Sequence, residues 1–199
     1  MQIGYSAKHL RRLSRLGMAA LAFGTVSCAP TAGSDQSDPE LVQRSEALAD
    51  SFQAQLENEL STALFAVGPT GAVGVCQSIA PAIAQRLSEQ GGVNVRRIAR
   101  RNRNPANGLP ADMERLYAQL EMSPLEGGAP KAVHARLDDR FVNLRAIPMQ
   151  EKPCSTCHGT DIDPALEGAI VEAYPQDIAT GFEPGDLRGA FLIEHSLAD

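Results

Sequence analysis

Five residues, Cys154-Ser155-Thr156-Cys157-His158, constrain this chain more than any other part of it. Two intervening residues set the thiols at the separation of the two vinyl groups of a porphyrin. Each thiol can form a thioether there, and the imidazole that follows reaches the iron from the same side. The expectation is one covalently attached c-type haem, bound through Cys154 and Cys157 and ligated by His158. Three other chemistries use paired cysteines. A thioredoxin-like pair wants a strand before it and a helix after it in a βαβ setting, which nothing upstream supplies. Structural zinc needs four ligands, commonly from two such pairs, and the chain has one pair. A disulfide across two residues would leave His158 without a role.

C-type attachment is completed outside the cytoplasm, and the amino terminus points there. Lys8, Arg11, Arg12 and Arg15 form a basic region without an acidic residue, and Met18 to Phe23 is apolar. Such a short apolar core with a basic flank reads as an export signal, residues 1–28. Thr25-Val26-Ser27-Cys28 resembles a lipobox, in which cleavage leaves a lipidated cysteine, although Thr25 stands where Leu is usual. Ordinary cleavage nearby is the alternative. The location expected is the periplasm, with a membrane tether only through a lipidated Cys28. No uninterrupted apolar run reaches the roughly 20 residues of a spanning helix.

Removing residues 1–28 takes four basic side chains and no acidic one. The remainder holds 14 basic against 24 acidic residues, a net of −10. An acidic surface argues against nucleic acid or an anionic membrane face as partner.

Residues 29–40 are small, polar and Pro-containing, and read as a flexible linker before a domain spanning residues 41–199. Leu48, Phe52, Leu56, Leu60 and Leu64 recur every fourth residue, which predicts a long helix ended by Gly68-Pro69, with Thr70 to Gly74 as a turn. A second helix carries Cys76, Ile79, Ala80, Ile83 and Leu87 on one face and closes at Gly91-Gly92. A strand is expected over 93–99, a loop over 100–110, a short helix over 112–122, and a turn at 127–130. A strand within 134–146, with the CxxCH segment in a loop behind it, comes next. A short helix from Asp163-Pro164 and a last strand over 186–197 complete the chain. Helices first, then strands mixed with short helices, make an α+β fold.

A haem held by His158 leaves one axial position whose occupant decides the chemistry. Met149 lies too near Cys154 in sequence to wrap easily to the other side. Met113 and Met122 are read as helix core, and His134 and His195 as surface or strand-face residues. Cys76 is a cysteine without a partner once Cys154 and Cys157 are used. It is either an inert thiol packed like alanine or a sulfur ligand to iron. Arg96, Arg97, Arg100, Arg101 and Arg103 are candidates to pair with haem propionates, since the guanidinium fork matches a carboxylate. Solvated positions account for at least half of them.

Four segments together resemble one family: Ala72 to Pro81 around Cys76, Arg96-Arg97-Ile98 with Arg103-Asn104-Pro105-Ala106-Asn107, Cys154 to Gly159, and Gly185-Asp186-Leu187-Arg188-Gly189-Ala190-Phe191. The family is a group of exported single-haem c-type proteins with a PAS-like fold. The resemblance runs from about residue 40 to the carboxyl end. It implies a PAS-like antiparallel sheet flanked by helices, with a long N-terminal helix. It also implies His158 on one axial side of the iron and Cys76 on the other.

Two ligands of that kind leave no open coordination site, so an enzyme is not expected, and a sulfur anion on ferric iron implies a low reduction potential. Redox or gas sensing is the function expected, read out by an unknown partner. Low-potential electron transfer is the alternative.

Overall fold

The computed structural model describes residues 38–122 and 131–197. The export signal, Cys28, linker residues 29–37 and the turn expected at 127–130 lie outside the described residues.

A helical run opens the fold. Helix α1, Asp38–Gly74, places Asp38 and Glu40 in its first turn, where acidic side chains complement the helix dipole. The last three residues of the expected linker are therefore helical. Gly68 breaks the run, with φ 71° and ψ 179°. That conformation is open essentially to glycine alone. Pro69 does not end the helix as expected. It restarts it, because a first-turn proline has no N–H to leave unbonded and a φ already suited to a helix. The expected turn at Thr70 to Gly74 is thus a second helical segment. The run continues through a π-helical turn, Val75–Ile79, into helix α2, Ala80–Gly91. Gly92, at φ 60°, is the left-handed cap that stops it.

Four antiparallel strands follow: β1, Asn94–Ile98; β2, Ala132–Leu137; β3, Arg140–Pro148; and β4, Leu187–Ser196. Their order across the sheet is β1-β4-β3-β2, which makes the last strand a central one. The single strand expected within 134–146 is a hairpin, β2–β3, with Leu137 opposite Arg140 across Asp138-Asp139. A two-residue connection usually advertises itself with Gly or Asn, and this one has neither. Helix α3, Glu114–Glu121, precedes the hairpin. Helix α4, Cys154–His158, and helix α5, Pro164–Ala173, lie between β3 and β4. Asp163 caps α5 by accepting hydrogen bonds from the N–H groups of Ala165 and Leu166.

Period-two alternation sends the two faces of the sheet to different layers. On one face Ile98, Val142, Leu144, Ala146, Ala190 and Leu192 pack against Met113, Leu116, Tyr117 and Leu120 of the α3 segment. On the other, Val95, Phe191 and Ile193 pack against Ala49 and Phe52 of α1 and Ile83 and Leu87 of α2. The fold is α+β, as expected. Met113 is core, but Met122 is 76% exposed, because it lies beyond the last turn of α3.

The second face is not wholly apolar. Ser45, Asn143, Arg145 and His195 are buried in it. Arg145 meets Asp50 at 2.5 Å, and the Asn143 side-chain amide donates to Glu46 at 2.8 Å. The stripe on α1 consequently divides. Leu41, Ser45, Ala49 and Phe52 face the sheet, whereas Leu60 and Leu64 run past its edge.

Candidate functional site

Past that edge the chain leaves a cleft of about 1410 Å³, its open mouth included. Leu56, Leu60 and Leu64 of α1 and Ala72 and Val73 beyond the Gly68 break form one wall. The helical run Asp38–Gly91, broken at Gly68, contains a stretch with mean hydropathy 1.4, 22% of it buried, apolar and long enough to cross a membrane by length and composition. No run of about 20 apolar residues exists there, since Ser61, Thr62 and Thr70 interrupt it, but the average over the stretch is apolar. Its cleft-facing residues are a reason for that hydropathy which needs no membrane.

Cys76, Cys154, Cys157 and His158 all line the cleft. Cys76 stands in the π-helical turn, where the N–H of Ala80 bonds the carbonyl of Val75, five residues back. One extra residue in a turn shifts the side chains it carries, and such turns cluster at functional positions. Cys154, Cys157 and His158 share the single turn of α4 rather than a loop. Cys154 packs against Met149, Ala179 and Phe182, and Cys157 against Val73, Leu166, Ile170 and Tyr174. Burial pushes both thiols up from their ordinary range, so neither is a ready thiolate. That disfavours a redox pair of the thioredoxin kind. Among the described residues, no three His, Cys, Asp or Glu side chains converge to hold a bare metal ion. The donors are spread about the cleft rather than closed on a point.

The imidazole of His158 is held in one tautomer. Its Nδ1 lies 2.7 Å from the carbonyl oxygen of Ala179, which can only accept, so Nδ1 carries the proton and Nε2 keeps its lone pair. Burial, with Arg188 and Arg103 nearby, holds the ring neutral, its pKa well below the usual histidine value. A neutral ring fixed through one nitrogen is the form that ligates metals.

What holds Ala179 is a buried ion pair. Arg103 Nε bonds Asp177 at 3.0 Å, both side chains being less than a tenth exposed. The other oxygen of Asp177 accepts from the N–H of Ala179 at 2.8 Å, and a terminal nitrogen of Arg103 donates to the carbonyl of Cys157 at 2.6 Å. Phe182 N–H bonds the carbonyl of His158 and Gly181 N–H that of Gly159. Arg103 therefore braces the CxxCH turn. Asp177 carried no motif, and the sequence reading missed it.

The other arginines named from sequence separate just as clearly. Arg96 pairs with Glu194 at 3.8 Å, and Arg100 with Glu114 and Glu121 at 2.9 Å. Arg101 donates to the carbonyl of Thr180 and lies over the Phe182 ring. Only Arg97 and Arg103 of the five line the cleft, and Arg188, which the sequence shows only as part of the family segment, joins them. Met149 is buried beneath Cys154. His134 is exposed and stacks on Phe141, while His195 is buried against Ser45, so neither lines the cleft.

Three comparisons bear on this arrangement. The model of the Tll0287-like family matches residues 33–196. The crystal structure of the cyanobacterial heme-protein Tll0287 superposes with a TM-score of 0.63 at 25% sequence identity, covering 80% of this chain and 97% of that one. Among curated proteins, none matches the chain.

Proposed function

Because the chain belongs to the Tll0287-like family, we propose that it binds haem, as an exported c-type protein carrying a single covalently attached group. The observation that carries this reading is the gathering of Cys76, Cys154, Cys157 and His158 in one large apolar-walled cleft. The residues fit a haem in three respects. Cys154 and Cys157 sit one helical turn apart on α4 with half-buried, protonated thiols, and each would add across one vinyl group, its hydrogen passing to the neighbouring carbon. His158 offers Nε2 in a tautomer fixed from behind. Cys76 supplies a sulfur from a separate element. The bound iron would supply one-electron chemistry and, where a ligand leaves, a position for a small gas.

Within this reading His158 and Cys76 would both hold the iron, the protein would not be an enzyme, and it would reside in the periplasm, tethered by lipidation of Cys28. The helix-flanked antiparallel sheet is compatible with the PAS-like architecture that the resemblance implies. We favour redox or gas sensing over electron carriage. Cys76 stands on a π-helical turn about two helical turns beyond the Gly68 break, a segment suited to releasing a ligand and passing the displacement along α1 and α2 to an unidentified partner.

Expressed with a c-type maturation system, the protein should keep its haem through acid-acetone extraction, and a colourless polypeptide would sink the proposal. Cys76→Ala should change the ferric spectrum and open the iron to added ligands. A variant spectrum and CO affinity equal to those of wild type would leave Cys76 a packing residue. Ferrous protein indifferent to CO and NO but exchanging electrons rapidly would transfer the reading from sensor to carrier.

A further inference from the structure

Five arginines were candidates to meet the acidic edge of the ligand, and the structure leaves a different set of two. Three guanidinium groups line the cleft: Arg97, Arg103 and Arg188. Asp177 neutralises Arg103. Arg97 and Arg188 have no carboxylate partner among the described residues, and Glu57, the one carboxylate among the lining residues, is exposed.

Each is placed there by the sheet. Arg97 lies on β1 opposite Phe191, on the face that carries Val95. A strand position that packing would give to an apolar residue thus holds a cation, its guanidinium carbon 5.8 Å from the centre of the Phe52 ring. Arg188 reaches the cleft by a different device. Along β3 and β4 the partners run Ala146–Ala190, Ile147–Gly189 and then Pro148–Leu187, so the register skips Arg188. It is the extra residue of a β-bulge, and bulges next to sites re-aim a side chain that alternation would send elsewhere. Its Nε is buried without a hydrogen-bond partner, while a terminal nitrogen donates to the carbonyl of Arg101 at 3.2 Å. Burial, with Arg103 and Arg97 nearby, pushes its pKa down to about 10.

Two cations sharing an apolar cleft without a counter-charge are unfavourable by themselves. They are favourable with a ligand that brings two carboxylates. We propose that Arg97 and Arg188 hold the two propionates of the haem, Arg188 through the fork that the bulge turns inward, and that Arg103 does not take part. The inference rests on the haem reading above and assigns the orientation of the group within the cleft.

Arg97→Gln and Arg188→Gln, made in the full chain with the maturation system, are the tests. Haem content is first measured by pyridine haemochrome. The propionate bending band of the resonance Raman spectrum should shift in each variant, and the midpoint potential should fall, because a positive charge that disfavours ferric iron is lost. Arg100→Gln, whose partners are Glu114 and Glu121, should move neither. Should a glutamine variant fail to accumulate, Arg97→Lys and Arg188→Lys keep the charge and lose the fork, so they should shift the band with a smaller change in potential. Haem-loaded variants with the wild-type band and potential would overturn the clamp and leave haem binding standing. Wild-type protein without haem would instead remove the reading beneath it.

Discussion

The two faces of the sheet solve different problems. The face toward α3 is closed: Ile98, Leu144, Ala190 and Leu192 meet Met113, Tyr117 and Leu120, and at one end the buried Glu194 pairs with Arg96 and Arg140. The face toward α1 and α2 is closed only over its middle. Beyond Phe52 and Phe191 the helix runs on, the strands end, and the cleft opens. The first face keeps its ionic groups at one rim, around Glu194, whereas the second uses buried polar groups to fix the parts around the cleft. Arg145 and Asn143 tie α1 to the sheet at one end, and Arg103 with Asp177 ties the CxxCH turn to its loop at the other. Stability and ligand binding are thus assigned to opposite sides of one sheet.

Three tests, using four substitutions, probe that division, in order of effect. Arg103→Gln leaves Asp177 charged and buried, which costs about 3–5 kcal/mol, and it also frees the Ala179 carbonyl that orients His158. Urea denaturation should register the loss, and haem attachment efficiency should fall with it. A loss below about 1 kcal/mol would mean the pair is solvated and braces nothing. Leu144→Ala on the closed face should cost about 2–5 kcal/mol. Leu64→Ala in the cleft wall should cost far less in haem-free protein, since no side chain fills the space opposite. Equal losses at the two positions would abolish the distinction between the faces. Gly68→Ala places a Cβ on a backbone that only glycine adopts readily, at about 1–3 kcal/mol, although no atom lies within 4 Å of that Cβ. Thermal unfolding should show the cost. Wild-type stability would mean that the break relaxes to a straight helix and is no hinge.

Periodicity made the middle of the closed face legible, because a run of apolar residues on one side is what a period-two or four-residue stripe describes. Leu116, Tyr117 and Leu120 were readable as one helix side and are buried together. The cleft was legible only through residues whose chemistry is specific, Cys154, Cys157, His158 and the unpaired Cys76. Its supporting groups were not. Asp177 and Ala179 lie in a loop with no pattern, and their roles exist only once the chain brings Arg103 and His158 beside them. Arg188 was missed because the bulge that aims it is a property of the pairing of β3 with β4, not of either strand. Thr70 to Gly74 was misread because glycines next to proline usually signal a turn, whereas here the proline begins a helix that packing supports.

The smallest effect tests the sealed end of the second face. His195, on the central strand, lies 2.8 Å from Ser45 Oγ through Nε2, and Ser45 donates its only hydroxyl proton to the carbonyl of Leu41 at 2.7 Å. Nε2 therefore carries the hydrogen and donates it to Ser45, which leaves Nδ1 as the nitrogen to be protonated. Burial and the charge of Arg44 lower the pKa of this ring below the ordinary histidine value of 6.5. A lowered folded-state pKa means the unfolded chain binds the proton first. Stability from this group is full above about pH 6.5 and is lost as the pH falls through the lower folded-state value. His158 shifts in the same direction in haem-free protein, so the wild-type slope alone does not isolate His195. The comparison with His195→Gln does, because the variant keeps an N–H for Ser45 and loses the titration. The gap in denaturation free energy between wild type and variant should narrow from pH 7 to pH 5. A gap constant over that range would show that His195 takes up its proton as readily in the folded chain as in the unfolded one, and that this end of the face is open to water.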